Sequence, residues 1–316
     1  MSWKLGALTL AGAIGCGALI AGPVDRQLVH DELAKGRKIA VWPESGGGKS
    51  SDYSPFAVKN TEGGNLRLTD VKCPELALFS PKGKGRSPAM IVCPGGAYLH
   101  LSYTTEGTEI AEWLQGLGMA ALVLKYSCPD CPDKALADVQ RAISLVRARA
   151  DELNIDAGRI GVMGFSAGGN LAVRASTNWR QRAYSAIDGI DAFPCRPDFT
   201  VLIYPAYLVP GARNSSTLPL PAVLCGENPV DAQTPPAFLL QTQDDLAHVE
   251  NVMAYGLALK YAGVDFELHV FAKGGHGFGL KRRGKDVDGW EALAAKWLER
   301  TAFSTGAIGA AKDGRK

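Results

Sequence analysis

The sequence has 316 residues, of which 46% are hydrophobic and 21% are charged, and its formal net charge is +2. This length and composition suit one large α/β domain with a sizeable buried core. The nearly neutral charge, without a long Lys- or Arg-rich run, argues against a nucleic-acid partner.

An uncharged apolar segment follows Lys4 at the N-terminus. It extends over eighteen residues from Leu5 to Gly22, with small residues near Cys16 to Ala18. A basic start, an apolar middle and small residues in this order are typical of a secretory signal peptide. The segment is also just long enough for an uncleaved membrane anchor, whereas its many glycines disfavour an ordinary N-terminal helix. We therefore expect residues 1–22 to be the signal peptide or membrane anchor of an exported protein, periplasmic or extracellular.

Residues 23–65 show little hydrophobic periodicity, and we predict a linker or N-terminal strap there. Their run Glu-Ser-Gly-Gly-Gly-Lys-Ser-Ser at 44–51 resembles a phosphate-binding loop only superficially. No strand precedes this run, and the first glycine of the phosphate-loop motif is missing.

The hydrophobic pattern becomes regular after residue 65. Residues 66–79 alternate apolar and polar side chains, as half-buried antiparallel strands do. Farther on, short apolar runs are typical of strands that are buried on both faces of a parallel sheet. These runs are 90–93, 120–124, 160–163, 199–203, 237–240 and 268–271. Helical periodicity appears between and after them, at 110–117, 136–150 and 290–298.

The alternation of strands and helices predicts the fold class. It implies an α/β domain over residues 66–302, with a doubly wound, mainly parallel sheet and an antiparallel N-terminal edge. Residues 303–316 are expected to form a flexible C-terminal tail.

The pentapeptide Gly-Phe-Ser-Ala-Gly at 164–168 places Ser166 between an apolar run and a helix of small residues. The pentapeptide alone is common by chance, but a strand before it and a helix after it are the context of a nucleophile elbow. The helix N-terminus there offers backbone N–H groups to developing negative charge. The alternative role for Ser166 is that of a helix N-cap. We predict that Ser166 is the nucleophile of a serine hydrolase.

A nucleophile elbow predicts an acid and then a histidine farther along the chain. His276 lies in Gly-Gly-His-Gly at 274–277, directly after a predicted strand, so that its ring is on a loop and free to reach a serine. Counting forward from the strand 237–240 favours Asp245 as the acid, whereas counting back from Val249 permits Asp244. We predict the triad Ser166, Asp245 and His276, with Asp244 as the open alternative for the acid.

The oxyanion hole of such an enzyme comes from the loop after an earlier strand. Here that loop is Cys-Pro-Gly-Gly-Ala-Tyr at 93–98, whose glycines allow backbone N–H groups to turn toward one point. We predict that Gly96, Ala97 and Ala167 supply the N–H donors. Tyr98 and His100 continue this loop and are candidates to face the substrate.

Cys128 and Cys131 form the only closely spaced pair among the seven cysteines. A zinc site would need a second pair at similar spacing, and there is none. We expect either a structural disulfide or two free thiols. The predicted chemistry requires no metal and no organic cofactor.

Together these motifs resemble the acetyl-xylan-esterase-like and feruloyl-esterase-like carbohydrate esterases of the α/β-hydrolases. The likeness extends from Leu68 to about Leu298 and departs from the family at Ala97, where a third glycine is common, and at 128–131. The motifs that carry it are Cys-Pro-Gly-Gly at 93–96, Glu-Gly at 106–107, Asp-Val-Gln-Arg-Ala at 138–142, the elbow, Thr-Pro-Pro at 234–236, Gln-Thr-Gln-Asp-Asp at 241–245, Val-Glu-Asn at 249–251 and Gly-Gly-His-Gly at 274–277. The resemblance implies that the substrates are acyl esters of sugars, such as acetylated or feruloylated polysaccharides.

Two other functions are compatible with the same motifs. One is a serine exopeptidase of the prolyl-oligopeptidase-like group, although 316 residues leave no room for the propeller domain that such enzymes usually carry. The other is a binding protein on a hydrolase fold that has lost its chemistry. Residues 208–233, rich in proline and small residues, are expected to cover one side of the pocket and to set the size of the acyl group.

Overall fold

The computed structural model describes residues 26–43, 54–57, 64–83, 85–211 and 221–304. The predicted signal peptide or anchor (1–22), the whole glycine-rich run at 44–51 and nearly all of the predicted tail (303–316) lie outside the described residues. None of the described helices is long and apolar enough to cross a membrane.

Eleven strands of the described residues form two sheets. They are β1 (Arg37–Ala40), β2 (Ser54–Ala57), β3 (Leu66–Thr69), β4 (Glu75–Phe79), β5 (Ser87–Cys93), β6 (Leu101–Ser102), β7 (Ala120–Lys125), β8 (Ile155–Phe165), β9 (Thr200–Ile203), β10 (Ala237–Thr242) and β11 (Phe266–Phe271). The large sheet has eight strands in the order β1-β4-β7-β5-β8-β9-β10-β11. Six neighbouring strands, β7, β5, β8, β9, β10 and β11, are parallel. At one edge of the sheet, β4 pairs antiparallel with both β7 and β1. The predicted fold class is thereby confirmed.

The predicted pair of antiparallel strands at 66–79 divides between the two sheets. β3 pairs with β2 and β6 in the small antiparallel sheet, and β4 joins the large sheet. The chain turns between them at Asp70, whose φ is 56°. The residues of β3 alternate between buried and half-buried, as predicted. All five residues of β4 are buried, so this strand does not alternate.

Residues 26–43, which fall within the predicted linker or strap, contain regular structure instead. A helix, α1 (Arg26–Ala34), precedes β1, and Val29 and Leu33 of this helix contact the core. In β1 only Ile39 is buried, while the other three residues are exposed. A strand with a single core-facing side chain leaves no periodic pattern in the sequence, which is why its pairing with β4 escapes prediction.

Helices cover both faces of the large sheet. They are α2 (Glu109–Gly116), α3 (Pro132–Ala148), α4 (Ala150–Leu153), α5 (Ala167–Thr177), α6 (Glu250–Tyr261) and α7 (Trp290–Leu298). The longest, α3, begins at Pro132, since proline has no N–H to leave unpaired in a first turn. A π turn (Thr104–Thr108) leads into α2. Because β5, β8, β10 and β11 run in parallel, the loops after them meet at one edge of the sheet, where α/β folds place their sites.

Candidate active site

Ser166 is the residue between β8 and α5. Its backbone has φ 52° and ψ −120°, a conformation that non-glycine residues rarely adopt and that costs about 1–3 kcal/mol. Although it occupies the N-cap position of α5, its side chain makes no capping hydrogen bond. The hydroxyl is directed elsewhere, so the N-cap alternative for Ser166 does not hold.

Two glycines make this tight turn possible by close approach of backbone to backbone. A Cβ at Gly164 would lie 2.1 Å from the carbonyl oxygen of Gly168, and a Cβ at Gly168 would lie 2.1 Å from the carbonyl oxygen of Cys93. Any side chain at either position would push the strand, the helix and the loop after β5 apart. The spacing Gly-x-Ser-x-Gly is therefore a steric requirement of the turn.

His276 lies between Ser166 and Asp245 in a hydrogen-bonded line. Its Nε2 is 2.8 Å from the hydroxyl oxygen of Ser166. Its Nδ1 is 2.8 Å and 3.0 Å from the two carboxylate oxygens of Asp245. With Nδ1 as donor to the carboxylate, Nε2 is left as the acceptor for the serine proton, which is the arrangement that a general base requires.

The two adjacent aspartates have different positions. The side chain of Asp245 is fully buried, and its oxygens also accept hydrogen bonds from the side-chain amide of Gln241 at 3.0 Å and from the N–H of Ala247 at 2.7 Å. Asp244 is exposed and accepts hydrogen bonds from the N–H groups of Gly274 and Gly275, at 3.0 Å and 2.9 Å. Of the two, Asp245 contacts the imidazole, and Asp244 holds the loop that carries it.

The electrostatic surroundings of His276 favour its protonated form. Burial by itself lowers the pKa of the ring, but the hydrogen bond to Asp245 and the negative charges of Asp245 and Glu106 outweigh burial, so that the pKa lies above its ordinary value. A base whose cation is stabilised in this way is well matched to receiving a proton from serine.

Two of the three predicted oxyanion donors, Gly96 and Ala97, directly follow Gly95, where a Cβ would lie 2.8 Å from Cβ of Ser166, and the third, Ala167, directly follows Ser166 in the chain. Gly96 has φ 133°, and a Cβ there would lie 2.0 Å from the carbonyl oxygen of His100. Ala97 adopts φ 58°, which turns the backbone again directly after Gly96. Within the described residues, the N–H groups of Gly96, Ala97 and Ala167 donate no hydrogen bond. Unpaired N–H groups next to a nucleophile are what stabilises an oxyanion.

Three buried side chains, those of Tyr126, Tyr98 and Glu106, hold the oxyanion loop in place by hydrogen bonds. The Tyr126 hydroxyl donates to the carbonyl oxygen of Pro94 at 2.6 Å, and the Tyr98 hydroxyl donates to the Asn170 side chain at 2.8 Å. The Glu106 carboxylate accepts from the N–H of Gly95 at 2.8 Å. Tyr98 thus packs into the protein rather than facing a substrate. Glu106 belongs to the motifs of the family resemblance, whereas Tyr126 had no sequence signal.

Neither His269 nor His100 belongs to the hydrogen-bonded line of Ser166, His276 and Asp245. His269 contacts Glu267 on β11 at 2.8 Å. Burial, followed by the charge of Arg67, lowers the pKa of His100 to about 4, so that this ring is neutral at physiological pH. All cysteines of the described residues, Cys128 and Cys131 included, are free thiols. No group of three or more His, Cys, Asp or Glu side chains suited to a metal occurs in the described part of the chain.

The sequence is similar to one family profile and to several known esterases and hydrolases. The profile of the BD-FAE family matches residues 76–191. The acetylxylan esterase of Xylanibacter ruminicola is 30% identical in an alignment 234 residues long, which covers 68% of this chain and 46% of that protein. Endo-1,4-beta-xylanase B of Butyrivibrio fibrisolvens is 30% identical in an alignment 228 residues long, which covers 65% of this chain and 34% of that protein. The chain therefore spans less than half of the length of either relative.

A solved structure resembles nearly the whole described domain. It is that of an acetyl ester-xyloside bifunctional hydrolase from Caldicellulosiruptor lactoaceticus, with a TM-score of 0.69 and 33% sequence identity. The match covers 85% of this chain and 97% of that one.

Proposed function

This chain belongs to the α/β-hydrolase carbohydrate esterases, and on that premise we propose that it is an exported serine esterase that removes acyl groups from carbohydrates. The observation that carries the proposal is the hydrogen-bonded line Ser166–His276–Asp245 beside three unpaired N–H groups. Among acyl groups we favour acetyl, since two of the relatives above are named for acetyl esters. A feruloyl-type group is the second possibility.

In the proposed reaction, the Ser166 oxygen attacks the ester carbonyl carbon while its proton moves to Nε2 of His276. The N–H groups of Gly96, Ala97 and Ala167 bind the negative oxygen of the tetrahedral intermediate. When the intermediate collapses, the bond to the sugar oxygen breaks, and His276 returns the proton to that leaving alcohol. Asp245 holds the ring and its positive charge throughout.

The second half of the reaction releases the acyl group. Water attacks the acyl-Ser166 carbonyl carbon and gives its proton to His276, and the serine oxygen leaves with a proton from the same ring. The products are a carboxylic acid and free Ser166. All proton transfers use one histidine, and the reaction needs no cofactor.

Replacing the nucleophile gives the direct test. We expect Ser166→Ala to abolish hydrolysis of p-nitrophenyl acetate and labelling by a fluorophosphonate probe. As a matched control, Ser176→Ala removes a hydroxyl from the same helix, where it bonds to the carbonyl oxygen of Ala172, and should keep activity. Hydrolysis or labelling that persists in Ser166→Ala would overturn the assignment.

The substrate class is tested on native polysaccharides. Acetate release compared with ferulate release from acetylated xylan, feruloylated arabinoxylan and pectin identifies the acyl group. Dipeptide amides, offered beside the esters, test the peptidase alternative. Faster cleavage of the amides than of every carbohydrate ester would refute the proposal.

Export rests on the apolar segment from Leu5 to Gly22. The test is N-terminal sequencing of the protein recovered from the periplasm or the medium of an expressing bacterium. A chain found only inside the cell with Met1 intact would contradict this part of the proposal, and it would leave the chemistry unaffected.

A further inference from the structure

Glu106 is a buried carboxylate directly behind the oxyanion loop. It lies in the π turn before α2 and is 4% exposed. One of its oxygens accepts from the N–H of Gly95 at 2.8 Å, and the other accepts from the hydroxyl of Tyr204 at 3.0 Å. None of the described Lys or Arg side chains forms an ion pair with it. Burying a carboxylate without a paired cation costs stability, and such costs are typical of functional sites.

The Glu106 carboxylate and the Ser166 side chain both lie next to Gly95. A Cβ at Gly95 would lie 2.7 Å from Oε2 of Glu106 and 2.8 Å from Cβ of Ser166. Only the absence of a side chain at Gly95 lets these two residues approach each other so closely. Glu106 is therefore part of the surroundings of Ser166, although it makes no hydrogen bond to Ser166.

Tyr204 extends the contact from Glu106 to the histidine loop. Its hydroxyl donates to Glu106 and accepts from the N–H of Gly279 at 3.2 Å. Its ring lies edge-on to the ring of His276, with 5.0 Å between centroids, and to Phe278, with 4.4 Å. Tyr204 follows β9 with φ 40°, a left-handed conformation that turns the side chain to this position.

The turn that carries Glu106 also contacts the histidine loop directly. A Cβ at Gly279 would lie 2.6 Å from Cγ2 of Thr105 and 2.9 Å from its carbonyl oxygen. The π turn, the end of β9 and the loop after His276 therefore form one packed unit beneath the site.

We propose that Glu106, acting through Gly95 and Tyr204, is a positioning residue that holds the oxyanion loop and the His276 loop in register and stabilises the imidazolium formed during catalysis. The inference rests on the proposed function and adds a second carboxylate to its mechanism. Asp245 contacts the far nitrogen of the ring, and Glu106 acts on the same positive charge through space.

The charges around His276 are limited in number. From the loop after β10 come Asp245, which contacts the ring, and Asp244, whose carboxylate accepts hydrogen bonds from the backbone of the His276 loop and from the side chain of Thr242. Arg283 donates to the carbonyl oxygen of Gly277 at 3.2 Å. Arg67 on β3 interacts electrostatically with Glu106 and His100. Only Asp245 and Glu106 contribute to the raised pKa of His276.

The sign of the expected effect follows from these charges. Esterase activity needs neutral His276, so the acid limb of the kcat/KM profile reports the pKa of this ring. Burial raises the pKa of Glu106, whereas the charge of His276 and the hydrogen bonds from Gly95 and Tyr204 act to lower it. An ionised carboxylate at this position stabilises the imidazolium, so its replacement by an amide in Glu106→Gln moves the limb to lower pH. Removing the Tyr204 hydroxyl leaves the negative charge in place, so the limb does not move down, but the loops lose their connection.

The experiment compares Glu106→Gln and Tyr204→Phe with wild type on p-nitrophenyl acetate from pH 4 to 9. We expect Glu106→Gln to lower the kcat/KM plateau roughly ten- to a hundredfold and to shift the acid limb down by about half a pH unit or more. For Tyr204→Phe we expect a plateau lowered about tenfold with no downward shift of the limb. Glu109→Gln, the same change three residues on in a half-buried position outside the site, is the matched control and should leave both unchanged.

A titration that needs no turnover separates this inference from the proposed function. The protein has five histidines, so the His276 ring signal can be assigned by NMR from its loss in His276→Asn. The titration is followed in Ser166→Ala with and without Glu106→Gln. A lower titration midpoint in the double variant supports the inference even if no carbohydrate ester is ever cleaved.

Two results would overturn the inference. One is a lowered plateau with an unmoved acid limb and an unmoved NMR midpoint in Glu106→Gln, which is the signature of a purely structural role. If that variant fails to fold, Tyr204→Phe decides: wild-type kinetics there would show that the hydroxyl bridge does not position the loops.

Discussion

The elbow around Ser166 and the loop around His276 meet across one hydrogen bond, yet they are held in different ways. Residues 160–165 of β8 and residues 167–173 at the start of α5 are buried, and glycine contacts leave no space for movement. His276 follows an edge strand, β11, whose residues are all at least partly exposed, and its side chain is 31% exposed. The carboxylates of Asp244 and Asp245 accept hydrogen bonds from this loop, and the hydroxyl of Thr242 donates one to it.

The comparison indicates which half of the site tolerates change. Close packing fixes Ser166, the proposed nucleophile, and a substitution there must displace backbone. Polar contacts hold His276, the proposed base, and they can be weakened one at a time. A single substitution in the elbow should therefore abolish most of the activity, whereas substitutions around His276 should each remove a part of it.

The largest effect within the polar half is expected for Asp245→Asn. Loss of the charge and of the acceptor at Nδ1 leaves the imidazole in the wrong tautomer, and kcat should fall by roughly a thousandfold or more. Asp244→Asn is the matched control, because its amide oxygen still accepts from Gly274 and Gly275. Steady-state kinetics on p-nitrophenyl acetate measures both. If Asp244→Asn lost more activity than Asp245→Asn, the roles assigned to the two aspartates would be reversed.

The packed half is tested by Gly164→Ala. The added methyl group would lie 2.1 Å from the carbonyl oxygen of Gly168, so that the elbow must open and Ser166 must shift. We expect kcat/KM to fall by about a hundredfold or more, together with a lower midpoint of thermal unfolding. Gly116→Ala, at an exposed position where no neighbouring group lies within 4 Å of the new Cβ, should leave kcat/KM unchanged and should not lower the thermal midpoint, because alanine is the better helix former. Wild-type kinetics in Gly164→Ala would contradict the steric account.

The wild-type pH profile gives an effect of intermediate size. Since neutral His276 is the active form and its pKa is raised, kcat/KM should fall about tenfold per pH unit below a midpoint above 6.5. The stability contribution has the opposite sense. Because the pKa is higher in the folded state than in the unfolded state, protonation of His276 favours folding at low pH, and this contribution is lost as the pH rises through the folded pKa. The check is the difference in thermal midpoint between wild type and His276→Asn as a function of pH.

The smallest effect is expected for Asp244→Ala. It removes two exposed hydrogen bonds to the loop of His276, and we expect kcat/KM to fall about fivefold. Asp244→Asn should restore most of that loss. A loss as large as that of Asp245→Asn would mean that the polar half is not built from separable contacts.

Much of the fold follows from sequence pattern, because buried parallel strands are continuous apolar runs and the helices between them are periodic. The choice between Asp244 and Asp245 could not be settled in this way. β10 extends to Thr242, two residues beyond its apolar run, and the direction of each side chain depends on the turn that follows. The distances now favour Asp245, while its catalytic role stays a prediction.

The network beneath the site lies beyond sequence reasoning for a different reason. Glu106 belongs to a motif of the family resemblance, but Tyr204 does not, and the two residues are 98 positions apart in the chain. Their contact depends on the order of β5, β8 and β9 in the sheet and on the left-handed backbone at Tyr204. The short strand β1 was missed for lack of a periodic pattern, since only one of its four side chains is buried although all four residues pair with β4.

The strained backbone of Ser166 has an evolutionary consequence. Glycine adopts φ 52° without penalty, so Ser166→Gly would relieve much of the strain, about 1–3 kcal/mol, less what glycine adds to the entropy of the unfolded chain. Selection for stability alone would therefore erode this serine. The serine in the elbow is therefore explained by the chemistry that we propose for it and not by stability.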